Sequence, residues 1–332
     1  MTKLSLLDLA HVTEGGDVAT SLANAADIAR HAESLGFERY WCAEHHGMEG
    51  IASAATSVVI GHVAAATSTI RVGAGGIMLP NHSPLVIAEQ FGTLEALFPG
   101  RIDLGLGRAP GSDQRVAAAL RRNLDTNPDA FPRDVVELQS YLAGDGRTGI
   151  KATPGAGAKV PLYILGSSLF GAQVAAVLGL PYAFASHFAP QALDDALAIY
   201  RERFEPSDVL SEPYAICGYN VFAADTEEEA HLLASSMQQS FVRLRTGQPG
   251  KLPPPVEGYR ESLPPQAAAM LDGVLKATAI GTPGQVREQM QAFVERTKAD
   301  ELIIAGSIYD HEKRKRSLTL AAEAFASERV AG

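Results

Sequence analysis

The sequence predicts an α/β protein whose single domain, residues 1–332, is a closed (β/α)8 TIM barrel with insertions after strands four and seven. Short apolar runs typical of strands alternate strictly with helical patterns along the whole chain. Eight such units follow one another at short and similar spacing, which favours closure; an open doubly wound sheet is the alternative. The length of 332 residues and the hydrophobic content of 46% suit one barrel that carries insertions.

In the first half of the chain, each apolar run stops at polar or glycine-rich residues, as strands do at their ends. These runs predict strands at Lys3–Leu7, Arg39–Ala43, Ile70–Gly75 and Ile102–Leu106. The intervening patterns predict helices at Val18–Leu35, Ser53–Ala66 and Pro84–Phe98, and two beyond the fourth strand at Ser112–Arg122 and Pro132–Ala143. The first helix ends at Gly36, a residue type that commonly terminates helices.

The second half repeats the same alternation. The predicted strands five to eight are Leu162–Leu165, Tyr182–Ser186, Tyr214–Ala223 and Glu301–Ala305. The predicted helices are Gly171–Leu178, Gln191–Phe204, Thr226–Arg245, Gln266–Ala277, Pro283–Thr297 and Asp310–Glu328. Two helices between strands seven and eight exceed what a simple barrel needs.

Two segments do not fit a simple barrel. One is Arg108–Asn127, after the fourth strand. The other is Thr246–Pro265, where closely spaced glycines and prolines exclude regular structure. A long irregular loop in a compact enzyme is often a lid over the active site; a solvated surface loop is the alternative.

Composition excludes several classes of partner and of site. The chain has 28 basic and 38 acidic residues, a net charge of −10, which argues against broad contact with nucleic acid or anionic membranes. Residues 51–70 contain no Asp, Glu, Lys or Arg but are rich in small residues, so a buried or interface helix is predicted rather than a membrane span. Cys42 and Cys217 lack the spacing of a disulfide framework or a zinc site, so we expect a cytoplasmic protein without a bound metal. The basic run 313–316 is interpreted as a solvated helix surface.

A histidine pair follows the second strand, in the run Glu44-His45-His46. Neighbouring side chains on a strand point to opposite faces, so these two histidines cannot easily ligate one metal. Alternation places His45 on the face of Trp41, and Glu44 and His46 on the other. One histidine should therefore point into the barrel mouth as a base or hydrogen-bond donor; a structural histidine bonded to backbone is the alternative.

Three further strand ends carry candidate binding residues. Gly73–Gly76 permits unusual dihedral angles and the close approach of a flat ligand, although a β-bulge would explain it equally. Arg108 follows the fourth strand, where it could bind a phosphate or make a surface ion pair. Gly166, Ser167 and Ser168 open the next helix, where backbone N–H groups and hydroxyls could hold a phosphate or simply cap the helix.

Taken together, these residues resemble the bacterial luciferase-like flavin monooxygenases, and within that family they are most similar to the small single-chain branch. The resemblance spans nearly the whole chain. It rests on Ser5–Asp8, Tyr40–His46, Gly73–Pro80, His82–Leu85, Gly100–Arg108, Gly166–Ser168, Gly281–Pro283, Asp300–Leu302 and Tyr309–His311.

The resemblance implies FMN bound at the carboxyl ends of the barrel strands. By position, His45 matches the catalytic histidine of the family. Gly75 and Gly76 match a non-prolyl cis peptide under the flavin ring, and together with Ala74 they are candidate cofactor-binding residues at the end of the third strand. Arg108 and the turn Gly166–Ser168 match the phosphate site.

The implied activity is a monooxygenase that uses reduced FMN and O2 on a small aldehyde- or ketone-like substrate. A separate flavin reductase would supply the reduced flavin, and the resemblance implies a homodimer formed through the second and third helices. A coenzyme F420-dependent oxidoreductase is the enzymatic alternative, because related barrels bind that cofactor. A flavin-binding protein without turnover is the non-enzymatic alternative.

Overall fold

The protein forms one parallel sheet that closes into the expected barrel. The computed structural model describes residues 2–108, 116, 119–120 and 130–326. Among them, nine strands pair in the order β6-β5-β4-β3-β2-β1-β9-β7-β8, and a β6–β7 pairing closes the ring without β8. The strands are β1 Lys3–Asp8, β2 Arg39–Cys42, β3 Arg71–Met78, β4 Ile102–Gly107, β5 Leu162–Gly166, β6 Tyr182–Phe184, β7 Ala215–Ala223, β8 Thr278–Gly281 and β9 Glu301–Ala305. The prediction of a (β/α)8 barrel is confirmed.

Helices surround the barrel, and apart from the four-residue helix Tyr259–Ser262 each of them buries part of its surface. They are α1 Val18–Ser34, α2 Thr56–Ala66, α3 Pro84–Leu97, α4 Phe131–Ala143, α5 Leu169–Val177, α6 Leu193–Glu202, α7 Glu227–Arg245, α8 Tyr259–Ser262, α9 Pro265–Leu275, α10 Pro283–Thr297 and α11 His311–Ala326. None of the described helices combines the length and the apolar character needed to cross a membrane.

The structure corrects the prediction in the insertion after strand seven. The strand β8, with the sequence Thr-Ala-Ile-Gly, was not predicted, because four residues between two helices carry too short a pattern to distinguish strand from turn. The segment Thr246–Pro265 is also less irregular than predicted, since it contains α8 and the first residue of α9. The predicted helix at 112–122 lies almost entirely outside the described residues.

A buried ionic network closes the amino-terminal end of the barrel. The Arg39 guanidinium donates from Nε to Glu301 at 2.8 Å and from Nη1 to Asp103 at 2.7 Å and to the Tyr163 hydroxyl at 2.8 Å. Arg71 donates to the other oxygen of Asp103 at 2.9 Å. Two arginines thus balance two buried carboxylates, and Arg71, a quarter of whose side chain is exposed, forms the solvent side of this layer. Above it, inward-facing apolar side chains fill the barrel, and they include Leu7, Trp41, Ala43, Tyr163, Ala183, Ile216, Ile303 and Ala305.

The insertion between β7 and β9 forms a second, smaller core at the carboxyl end of the barrel. Phe241 and Met237 of α7 pack there with Leu271 of α9 and with Ile308, which follows β9. The loop after α7 lies along the loop after β1: Glu14 N donates to Leu252 O at 2.8 Å, and Leu252 N to Val12 O at 2.9 Å. Leu252 is buried, so this part of the segment packs on the barrel mouth and is not a solvated loop.

Candidate active site

The carboxyl ends of the parallel strands meet at one opening, as expected for this fold. His45 lies just beyond β2 and is partly buried. Two other histidines lie near it, His11 after β1 and His187 after β6. Burial lowers the pKa of His11 to about 4, with smaller contributions that include His45. Burial lowers the pKa of His187 to about 4 as well, and again His45 contributes. Both imidazoles are therefore neutral at physiological pH.

These two additional histidines differ in their hydrogen bonding. The Nε2 atom of His11 lies 2.8 Å from the hydroxyl of Ser307, which follows β9. The ring of His187 packs on Gly218 of β7, where a Cβ atom would lie only 2.1 Å from Nδ1. That Nδ1 atom is buried without a hydrogen-bond partner among the described residues. Such an unpartnered polar atom is uncommon in a protein interior and often marks a functional position.

At the end of β2, Glu44 accepts several hydrogen bonds. Its Oε1 lies 2.7 Å from His46 Nε2 and 2.8 Å from His82 Nε2, and its Oε2 accepts from Met78 N at 2.9 Å. Burial alone would raise the pKa of Glu44, but hydrogen bonds from His82, Met78 and His46 outweigh burial and lower it. Glu44 therefore ties the end of β2 to the end of β3, and His46 supports it from the same strand end. The position of His45 on the opposite face, with Trp41, stays a prediction.

The diglycine of β3 adopts the geometry that the resemblance implies. The peptide bond between Gly75 and Gly76 is cis. A Cβ on Gly75 would lie 2.9 Å from Leu7 and 3.0 Å from Trp41, and one on Gly76 would lie 2.7 Å from the carbonyl oxygen of Gly105. Side chains are thus excluded at both positions. Ala74 is fully buried in the core between barrel and helices, so only its backbone could contact a ligand.

The phosphate-site candidates also come together. The guanidinium carbon of Arg108 lies 4.2 Å from the ring centroid of Phe170, in the first turn of α5. Ser168 is the N-cap residue of α5, but its side chain makes no capping hydrogen bond, so the predicted capping alternative does not hold for Ser168. The side chains of Ser167 and Ser168 are exposed. A cation, two hydroxyls and the open start of a helix therefore lie together between β4 and β5, as an anion site requires.

Sequence reasoning missed three members of this region. His82 carried only its place in the resemblance, and its partner Glu44 is distant in sequence. His11 and His187 stand alone in loops without a motif, so only the closed barrel reveals that both approach His45. Two clusters of described residues bring possible metal ligands within 4.8 Å, Glu44-His46-His82 and Asp27-His311-Glu312. The members of the first already hydrogen-bond one another, and the absence of a metal stays a prediction.

Comparison with known proteins identifies the family. The family model described as luciferase-like monooxygenase matches residues 2–301. A luciferase-like monooxygenase of Escherichia coli K12 is 52% identical over 318 residues, covering 96% of this chain and 95% of the relative. An N-acetyl-S-alkylcysteine monooxygenase of Bacillus subtilis 168 is 32% identical over 340 residues, covering 98% of both.

Comparison with solved structures supports the same fold. The crystal structure of apo-MsnO8 superposes with a TM-score of 0.88 at 37% identity, covering 98% of both chains. The fold is shared with an FMN complex, the oxygenating constituent of 3,6-diketocamphane monooxygenase of Pseudomonas putida, at 19% identity, 98% coverage of both chains and a TM-score of 0.73. An F420-dependent secondary alcohol dehydrogenase shares it at 16% identity, a TM-score of 0.69 and 98% and 99% coverage. The chain is therefore an oxidoreductase enzyme that belongs to the luciferase-like monooxygenase family.

Proposed function

We propose that the protein is an FMN-dependent monooxygenase that inserts one atom of O2 into a small organic substrate. The observation that carries this proposal is the grouping of Arg108, Ser167 and Ser168 between β4 and β5. Arg108 makes no ion pair with any described carboxylate, in a chain whose net charge is −10. An FMN phosphate would take hydrogen bonds from this guanidinium, from the hydroxyls of Ser167 and Ser168, and from the first N–H groups of α5.

The rest of the mouth suits the remainder of the cofactor. Gly75, Gly76 and Gly105 keep the ends of β3 and β4 free of side chains, which lets a flat ring approach the backbone. Bound reduced FMN supplies the reaction with O2, and the chain supplies position and exclusion of water. His45, beyond the neighbouring strand β2, would hold or move a proton at the substrate.

The nature of the substrate is part of the proposal. We expect an aldehyde- or ketone-like molecule, as the resemblance implies. The relative from B. subtilis is named for a thioether substrate, so thioethers belong in the same test panel. Reduced FMN would come from a separate flavin reductase. We also propose that the protein is cytoplasmic, because both cysteines are buried and unpaired. We propose a homodimer formed through α2 and α3, because the apolar side chains of Val58 and Leu97 are 70% and 64% exposed there.

The test supplies the purified protein with chemically reduced FMN and 18O-labelled O2 in the presence of each panel member. Mass spectrometry should find one labelled oxygen atom in the product of at least one substrate. Reduced F420 in place of FMN should give no product. Hydride transfer from reduced F420 without oxygen uptake would instead identify the deazaflavin alternative, and FMN binding without any product would identify a flavin-binding protein.

A further inference from the structure

Two arginines in the last turn of α7 have different surroundings. Arg243 Nη1 donates to Glu14 Oε1 at 2.6 Å, so its charge is paired. The guanidinium carbon of Arg245 lies 5.0 Å from the ring centroids of both Phe188 and Phe241, and no carboxylate of the described residues forms an ion pair with it. Arg245 is exposed, so its N–H donors face solvent and are accessible to a ligand.

The aromatic contacts hold Arg245 without using its hydrogen bonds. A guanidinium that stacks on aromatic rings interacts through its flat face. Its N–H donors lie in the plane at the edge, where they match the two oxygens of a carboxylate. The Phe188 and Phe241 rings are inclined to each other by 72°, and together they hold the guanidinium of Arg245 without occupying its N–H donors.

This arginine lies beside the candidate active site. Phe188 directly follows His187, whose imidazole is near enough to His45 for the two to interact electrostatically. At the same end of α7, Arg243 contacts the loop after β1, while Arg245 contacts the loop after β6. The last turn of α7 thus reaches both of these loops at the mouth, and Arg245 is on the side that carries His187.

A purely structural role for Arg245 explains only part of this arrangement. A cation in the last turn of a helix interacts favourably with the helix dipole, but Arg243 provides the same interaction. Stacking would also bury Phe188, yet 40% of this phenylalanine remains exposed. The N–H donors of Arg245 and the exposed ring of Phe188 lie side by side, so a ligand could contact a charged group and an apolar group at once.

We propose that Arg245 and Phe188 form a substrate subsite for an organic anion, a molecule that carries a carboxylate next to an apolar group. The carboxylate would accept two hydrogen bonds from Arg245, and the apolar part would lie against Phe188, toward His187 and His45. This inference rests on the proposed function, since it assigns the substrate class of the same mouth.

Binding is measured by calorimetry, without cofactor and without turnover, using phenylacetate and its neutral analogue phenylacetamide. We expect phenylacetate to bind and phenylacetamide to bind on the order of tenfold more weakly. Arg245→Ala should remove this preference, lowering phenylacetate affinity on the order of tenfold. Arg243→Ala is the matched control from the same helical turn and should keep the preference. Arg108→Ala should keep it too, because it removes only the phosphate site.

Equal affinity for the acid and the amide would overturn the proposal, as would no binding of phenylacetate at millimolar concentration. Retained preference in Arg245→Ala would also overturn it. Loss of the preference in Arg108→Ala alone would show that phenylacetate occupies the phosphate site, and this result likewise contradicts the proposal. Because the measurement needs neither FMN nor oxygen, it can fail while the oxygenation test succeeds, and the reverse.

Discussion

Replacing Glu44 should destabilise the protein more than replacing any exposed acid near it. In Glu44→Ala the two imidazoles of His46 and His82 and the backbone N–H of Met78 lose their common acceptor. Hydrogen bonds to a charged group contribute about 1.5–3 kcal/mol each, and both imidazoles stay partly exposed to water, so the expected loss in the free energy of unfolding is about 2–4 kcal/mol. In Glu44→Gln one amide oxygen remains as an acceptor, so the expected loss in the free energy of unfolding is about 1–2 kcal/mol.

The assay is equilibrium unfolding in urea. The single tryptophan, Trp41, is buried inside the barrel, so its fluorescence reports on loss of the barrel. Glu49→Ala is the control, since Glu49 is exposed in the same loop and its loss should change the free energy of unfolding by about 0.5 kcal/mol or less. If Glu44→Ala is as stable as Glu49→Ala, the hydrogen-bond hub does not hold β2 to β3.

The same carboxylate predicts a pH dependence with a definite sign. The pKa of Glu44 is lower in the folded chain than its ordinary value of 4.5. Its contribution to stability is therefore complete above about pH 4.5, and it is lost as the pH falls from there through the folded-state pKa. Glu44→Gln should consequently lose less stability than the wild type over that acid range, whereas a parallel decline of both proteins contradicts the assignment.

Three other predictions concern function and assembly. Arg108→Ala should weaken FMN binding about 30- to 150-fold, ~2–3 kcal/mol, in a flavin fluorescence titration where exposed Arg147→Ala has no effect; an unchanged affinity removes Arg108 from the phosphate site. His45→Ala should keep FMN affinity within a few-fold while oxygenation falls by about 10²- to 10⁴-fold, and His46→Ala should mainly reduce stability; the reverse pattern would mean that the histidine roles are exchanged. Sedimentation at micromolar concentration should show a dimer that Val58→Glu converts to a 35.1 kDa monomer, and a monomeric wild type speaks against the α2–α3 interface.

The sequence was sufficient for the eight strands of the closed ring because each of them is a local apolar run. Arg39–Cys42 is an apolar and aromatic run that ends in polar residues, and its boundaries were predicted within one residue. The strand β8 was missed because Thr278–Gly281 is short and takes its extended form from pairing with β7, a contact distant in the chain. Long-range pairing of this kind leaves no local pattern.

Part of the candidate site was likewise predictable from local sequence, and part of it was not. Alternation along β2 correctly placed Glu44 and His46 on one face, because a strand of fixed period determines which side chains share a face. The opposite face for His45 stays a prediction. The environment of those side chains was not predictable. His82 reaches Glu44 from a distant segment, and His187 approaches His45 only because the ring of strands is closed.

The ionic layer around Arg39 has a consequence for the direction of ligand approach. It closes the amino-terminal end of the barrel with two arginines and two carboxylates, and apolar side chains fill the space above it. Among the described residues the barrel axis therefore offers no passage, and cofactor and substrate would both have to arrive and leave through the loops at the carboxyl ends of the strands. Substitutions in those loops, and not in the ionic layer, should change the rates at which ligands exchange.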